Sequence, residues 1–146
     1  MRRVTRDHRP DSRDGGRVSV FLAITFMAVI IVIGITVDAA GKYRALQRAD
    51  NLAAEAARTG GQQIDVAGVV SGEGRFLDKA AATAAVDGYL DSLPGVTDHT
   101  TTFTENDQRI TVTIDMAYQT TMLNLFGYPS TITVTGQATA VLRSDP

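Results

Sequence analysis

The sequence predicts an α+β protein: a long N-terminal helix, transmembrane and then amphipathic, followed by a small domain with one helix and a mostly antiparallel three-stranded sheet. Three observations predict this fold: an uncharged apolar run, a helical alternation directly after it, and a strictly alternating segment near residue 110. We divide the chain into a cytoplasmic basic tail, a transmembrane helix, an amphipathic helix continuing from the membrane and an extracytoplasmic α+β domain, at residues 1–17, 18–37, 38–61 and 62–146.

The transmembrane helix is predicted from the run "VSVFLAITFMAVIIVIGITV", which has no ionisable side chain. A helix of this length measures about 30 Å, the thickness of the hydrocarbon core of a bilayer. A cleavable signal peptide is an alternative, but its apolar region is usually shorter. A second alternative is a core helix of a soluble protein, but the charged residues on both sides of the run disfavour it. The residues that we assign to the span as markers are Val18, Phe21, Phe26, Ile31, Gly34 and Val37.

The orientation of the span follows from the distribution of charge. Residues 1–17 hold six arginines and three aspartates, while the whole chain carries a net charge of −2. Because positively charged flanks stay in the cytoplasm, Arg13 and Arg17 predict a cytoplasmic N-terminus and an extracytoplasmic C-terminal domain. The acidic remainder has no basic stripe, which argues against nucleic acid as a partner. The predicted span makes the lipid bilayer an expected partner of the chain.

The helix is predicted to continue beyond the membrane, with Asp38 marking the exit and forming an i,i+4 pair with Lys42. Polar residues then recur at intervals of three or four, opposite a face of alanine and leucine. Gly60 and Gly61 provide a natural end. This second half needs one apolar face because it is expected to cover its own domain.

The C-terminal domain begins with an irregular connection and a helix that starts at Asp78 and ends before Pro94. Strands follow at 97–105, 108–120 and 131–143, and the second alternates most clearly. Between the last two strands, "TTMLNLFGYPS" is predicted to form one helical turn that buries Met122, Leu125 and Phe126. A three-stranded sheet needs a cover on its apolar face, and the two helices can supply it.

Residues for catalysis or for cofactor binding are not evident in the sequence. The two histidines, His8 and His99, fall on opposite sides of the predicted membrane, and there is no cysteine. "SGEGR" lacks the lysine of a phosphate-binding loop, and the acidic residues match no calcium loop. We therefore predict no enzyme activity, no cofactor and no metal.

The chain resembles the TadE/TadG-like proteins of the bacterial Flp (tight adherence) pilus machinery. The resemblance rests on Gly15-Gly16-Arg17 before the apolar run, on "GITVDAAGKYRALQRADNLAAEAARTGG" after it, and on the ending "TMLNLFGYPSTITVTGQATAVL". It implies a pilin-like, membrane-anchored protein that takes part in pilus assembly. Its implied partners are other pilus-assembly membrane proteins or pilins, in a homo- or hetero-oligomer.

The N-terminus departs from the pattern of type IV prepilins, which are cut after a glycine and carry glutamate at the fifth mature position. A cut after Gly16 would place Phe21 at that position, and no acidic residue occurs from 17 to 37. Our hypothesis is an unprocessed assembly factor retained in the membrane. The alternative function is a single-pass anchor that presents an extracytoplasmic binding module for a cell-wall or extracellular ligand.

Overall fold

The structure is a computed structural model that describes residues 13–72, 75–104 and 107–142, with side chains from residue 16 onward. Several predicted features lie outside the described residues. They are the basic tail before Arg13, which includes His8, the side chain of Arg13, and most of the predicted turn after the first strand. The helices are α1 (Arg13–Gly61), α2 (Val66–Ser71) and α3 (Lys79–Leu90), and the strands are β1 (Val96–Thr104), β2 (Arg109–Gln119) and β3 (Thr131–Val141). A short 3-10 helix, Leu123–Phe126, lies in the β2–β3 loop, residues 120–130.

The α+β prediction is confirmed. The strands form one antiparallel sheet in the order β1-β2-β3, and each strand pairs with its neighbour in sequence. Helix α1 runs without interruption for 49 residues, which is about 74 Å at 1.5 Å per residue. The sheet domain packs against the C-terminal half of this helix and leaves most of the N-terminal half bare.

The core lies between the sheet and the helices α1 and α3. Strand β2 buries one face completely or nearly so, with Ile110, Val112 and Ile114 at 0% exposure and Met116 at 5%. Helix α1 contributes alanines to the same core, which keeps it close to the sheet because alanine has the smallest apolar side chain. The buried alanines are Ala49, Ala53, Ala56 and Ala57.

Two glycines allow this close approach. Gly136 of β3 lies against the backbone of α1, and a Cβ atom at this position would overlap the carbonyl carbon of Ala49 and the nitrogen of Asp50. Gly41 of α1 lies against the Tyr118 side chain, and a Cβ there would overlap the phenol. Asp50 adds a bond at the crossing, where its carboxylate accepts the backbone N–H of Gln137 at 3.1 Å.

Helix α2 is a difference from the prediction, which treated this segment as an irregular connection. Asp65 caps it by accepting the N–H groups of Ala67 and Gly68, and Gly72 ends it with φ of 80°. The helix has only six residues and includes a glycine. Such a short segment shows little periodicity, so the apolar pattern alone could not identify it.

Candidate functional site

The first feature of functional interest is the bare half of α1. Among the described residues, α1 is the one helix long and apolar enough to span a membrane, and its apolar part is almost entirely exposed. Phe21 is 70% exposed and Phe26 is 67% exposed. So large a continuous apolar surface requires an apolar environment. The helix therefore anchors the protein in a membrane.

The residues assigned to the span do not share one environment. Val18, Phe21, Phe26 and Val37 are exposed on the helix surface, whereas Ile31 is half-buried and Gly34 is buried. A Cβ at Gly34 would lie 3.3 Å from Cβ of Met122 and 3.9 Å from Cε2 of Phe126. The β2–β3 loop therefore contacts the helix within the predicted span, one turn before Asp38.

Asp38 lies beneath the same loop and is only 2% exposed. Its carboxylate accepts the backbone N–H groups of Thr121 at 2.7 Å and of Met122 at 2.9 Å, and that of Leu123 as well. The three N–H groups precede or open the 3-10 helix and have no helical acceptor of their own. We call this set of interactions the Asp38 cap. It joins the helix to a loop more than eighty residues away in sequence.

The Asp38 carboxyl is expected to be charged at neutral pH. Burial of the carboxyl raises the pKa of Asp38, but the three N–H groups and the Tyr118 hydroxyl stabilise the charged form and lower the pKa below its usual value. The Tyr118 hydroxyl lies 3.4 Å from both the carboxylate and the backbone carbonyl of Asp38. Burial and the Asp38 carboxylate together raise the pKa of Tyr118.

The expected ion pair between Asp38 and Lys42 is replaced by these contacts. Lys79 on α3 forms an ion pair with Asp107 at 2.9 Å. Lys42 is exposed on the helix surface. The sequence contains no local signal for the Asp38 cap, because all of its donors come from a distant loop.

The burial predicted for the β2–β3 loop is wrong. Leu125 is 76% exposed, Phe126 is 47% exposed and Met122 is 38% exposed, and the neighbouring Tyr128 is 61% exposed. We call these four residues the loop cluster. The helical turn itself forms as predicted, at Leu123–Phe126. The turn packs beside α1, where Met122 and Phe126 lie against Gly34, and all four side chains remain at least 38% exposed.

The remaining predicted residues lie apart from the Asp38 cap, at the N-terminal end of α1 and on β1. Gly16 and Arg17 are both helical and exposed. His99 lies on β1, with its Nε2 atom 2.9 Å from the Asp87 carboxylate on α3. In the described part of the chain, no group of three or more histidine, cysteine or acidic side chains is arranged to hold a metal ion.

Comparison with known proteins gives one match. Residues 16–63 match the family described as "Putative Flp pilus-assembly TadE/G-like". These residues are about a third of the chain and include nearly all of α1, both the bare half and the half packed on the sheet. No curated protein and no solved structure matches the chain. The predicted resemblance is confirmed, and the match supports a role in Flp pilus assembly.

Proposed function

We propose that this chain, whose N-terminal helix matches the TadE/TadG-like family, is a single-pass, pilin-like membrane protein that assembles a Flp-type pilus through helix–helix and domain contacts, without catalysis. The observation that carries the proposal is the division of α1 within the matched segment. Its N-terminal half is exposed and apolar, while one face of its C-terminal half is buried against the sheet and the other face is exposed. A rod of this kind presents both a membrane surface and an external surface to neighbouring components.

Contacts within the membrane are expected along the bare half of α1. Ala23 and Ala28 leave shallow depressions between larger side chains such as Met27 and Ile31. Lipid supplies no hydrophobic drive between helices, so association depends on close packing, which small residues permit. The surface of α1 is therefore suited to a second transmembrane helix, from another copy or from another pilus-assembly protein.

Deletion of the gene, followed by complementation, tests the function. We expect loss of pili on deletion and recovery with the wild-type chain. Replacement of residues 18–33 by leucine keeps an apolar span but fills the depressions at Ala23 and Ala28, so this variant should stay in the membrane without restoring pili. Unchanged piliation in the deletion strain would contradict the proposal.

Co-purification separates the proposal from its alternative. A tagged chain extracted from membranes should retain pilus-system membrane proteins. An anchored binding module for a cell-wall or extracellular ligand predicts retention on cell-wall polymer instead. The extracted full-length chain serves for both measurements, so the two outcomes can be compared directly.

We also propose that the N-terminus is cytoplasmic and unprocessed. The apolar Phe21, 70% exposed, stands where a prepilin cut after Gly16 would require glutamate. The arginines before the span favour retention of that end in the cytoplasm. Mass spectrometry of the intact protein from membranes should give a chain that includes the residues before Arg17. A chain beginning at Arg17 would contradict this part of the proposal.

A further inference from the structure

The loop cluster is the exposed apolar surface that the proposed function leaves unexplained. Three of its four residues are large and at least 47% exposed, namely Leu125, Phe126 and Tyr128. The whole β2–β3 loop, "TTMLNLFGYPS", carries no ionisable carboxylate, ammonium or guanidinium. Val66 and Val70 on α2 are exposed as well, but the loop cluster differs from them because it lies beside the bare half of α1. An exposed apolar cluster in that position marks a surface that contacts another apolar phase.

The position of the loop cluster identifies that phase. Met122 and Phe126 lie against Gly34, four residues before Asp38 and inside the segment predicted to span the bilayer. The loop is therefore level with the last turn of the span instead of standing above it. A membrane that surrounds the exposed side chains up to Val37 necessarily meets the loop on the side of the helix where it packs.

The charge distribution along α1 agrees with this placement. Between Arg17 and Lys42, Asp38 is the only charged residue, and the loop covers it. The segment without an exposed charge is thus 24 residues long, about 36 Å at 1.5 Å per residue, against about 30 Å for a hydrocarbon core. The uncharged segment is therefore about 6 Å longer than the hydrocarbon core is thick. Its last turn, where the loop packs, then lies at the level of the headgroups of the leaflet nearest the domain.

The backbone of the loop is also suited to a medium that cannot supply hydrogen bonds. The N–H groups of Thr121, Met122 and Leu123 donate to Asp38. Those of Leu125, Gly127 and Tyr128 donate to carbonyl groups inside the loop. Unpaired backbone groups are costly in an apolar environment, and loops are tolerated there only when such groups are satisfied. The Asp38 cap therefore prepares the loop for lipid contact.

We propose that the loop cluster inserts into the interface of the leaflet nearest the sheet domain, as a second lipid contact beside the transmembrane helix. Leu125 and Phe126 enter the acyl boundary, and Tyr128 lies at headgroup level, where aromatic side chains with a polar end are favoured. The Asp38 cap holds the loop at a fixed height on α1. The sheet domain then has two points of membrane contact, which restrict its tilt. This inference rests on the membrane span and not on the role in pilus assembly.

Tryptophan fluorescence of the full-length chain in phospholipid vesicles tests the proposal, because the natural chain has no tryptophan. The probe is Leu125→Trp, at a side chain exposed enough that substitution leaves the core intact. The vesicles contain phosphatidylcholine and phosphatidylglycerol, brominated either near the carbonyl end of the acyl chain or near its tip. Tyr128→Trp provides a second probe in the same loop.

Two control variants define the scale. Phe26→Trp lies in the middle of the span and should be quenched most by bromine near the chain tip. Val70→Trp, at an 82% exposed position on α2 beyond the far end of α1, should emit as a water-exposed indole and resist quenching. We expect Leu125→Trp to emit at shorter wavelength than Val70→Trp and to lose intensity most with bromine near the carbonyl end.

Equal quenching of Leu125→Trp and Val70→Trp would overturn the proposal. A blue-shifted emission that bromolipids do not quench would also overturn it, because the loop cluster would then be covered by another copy of the chain. A purified preparation contains no other protein, so these outcomes can be read without reference to pilus components. Loss of the pilus function with quenching intact would affect only the proposed function.

Discussion

Asp38 has a different role from the one that its sequence position indicates. A lone acid after twenty uncharged residues indicates the point where a helix enters water, paired with the lysine one turn later. The structure instead buries the carboxylate under three backbone N–H groups. Sequence reasoning identified the residue but not its partners, because hydrogen bonds to backbone donors leave no signature in the side chains of the donor segment.

The acid dependence of stability should therefore include a contribution from Asp38. The pKa of Asp38 is lowered by folding, so its stabilisation is complete above the unfolded pKa of about 3.9 and is lost as the pH falls through the folded value. Asp38→Asn lacks the charge at every pH. Thermal unfolding of the sheet domain, followed by circular dichroism in lipid nanodiscs, should show a clear gap between wild type and Asp38→Asn at neutral pH that narrows below about pH 4.

Glu55→Gln is the matched control for this measurement. Glu55 is an exposed carboxyl on the same helix, about one and a half turns beyond the crossing with β3. Its replacement should leave the unfolding temperature at neutral pH close to that of wild type, since exposed charges contribute little. A gap between wild type and Asp38→Asn that stayed constant from neutral to acid pH would contradict the role of the charged carboxylate.

At the scale of elements, the strands, α1, α3 and the helical turn between β2 and β3 were predictable, whereas α2 and the exposure of that turn were not. Strand β2 alternates so regularly that its buried face, Ile110 to Met116, follows from the sequence. Helix α1 is continuous as expected. Glycine weakens a helix in water, yet Gly34 and Gly41 both face packed side chains, Met122 and Tyr118 respectively. A single sequence gives the cost of a glycine in a helix but does not show which atoms approach it.

The crossing of α1 and β3 depends on the absence of a side chain at Gly136. A methyl group there would overlap the backbone of Ala49 and Asp50, which cannot turn aside as a flexible side chain could. We expect Gly136→Ala to lower the free energy of unfolding by about 3 kcal/mol or more, at the upper end of the range for overpacked cores. Chemical denaturation of the full-length chain in micelles measures this change.

Gly88→Ala is the comparison for this prediction. Gly88 is exposed on α3, with open space where a Cβ would lie. Alanine favours helix by roughly 0.8–1 kcal/mol over glycine at such a position, so this variant should be neutral or more stable than wild type. If both glycine variants behaved alike, the close approach of helix and strand would not be the cause of the effect at Gly136.

At the scale of the whole molecule, the structure extends the prediction in one respect. The sequence placed the membrane and the domain on successive parts of α1, with a boundary at Asp38. In the structure the predicted span and the sheet domain overlap along α1, since the β2–β3 loop reaches Gly34. The overlap could not be derived from periodicity, because an apolar turn has the same pattern whether it faces a core or a bilayer. Only the position of the turn beside the span distinguishes them.

The central claim is that α1 crosses the membrane and carries the sheet domain on the extracytoplasmic side. The chain has no cysteine, so single substitutions can be read with a membrane-impermeant maleimide on protoplasts. Val70→Cys, on α2, should react with intact protoplasts, whereas Thr5→Cys, before the span, should react only after permeabilisation. Reaction of Thr5→Cys on intact protoplasts, with Val70→Cys protected until lysis, would contradict the account.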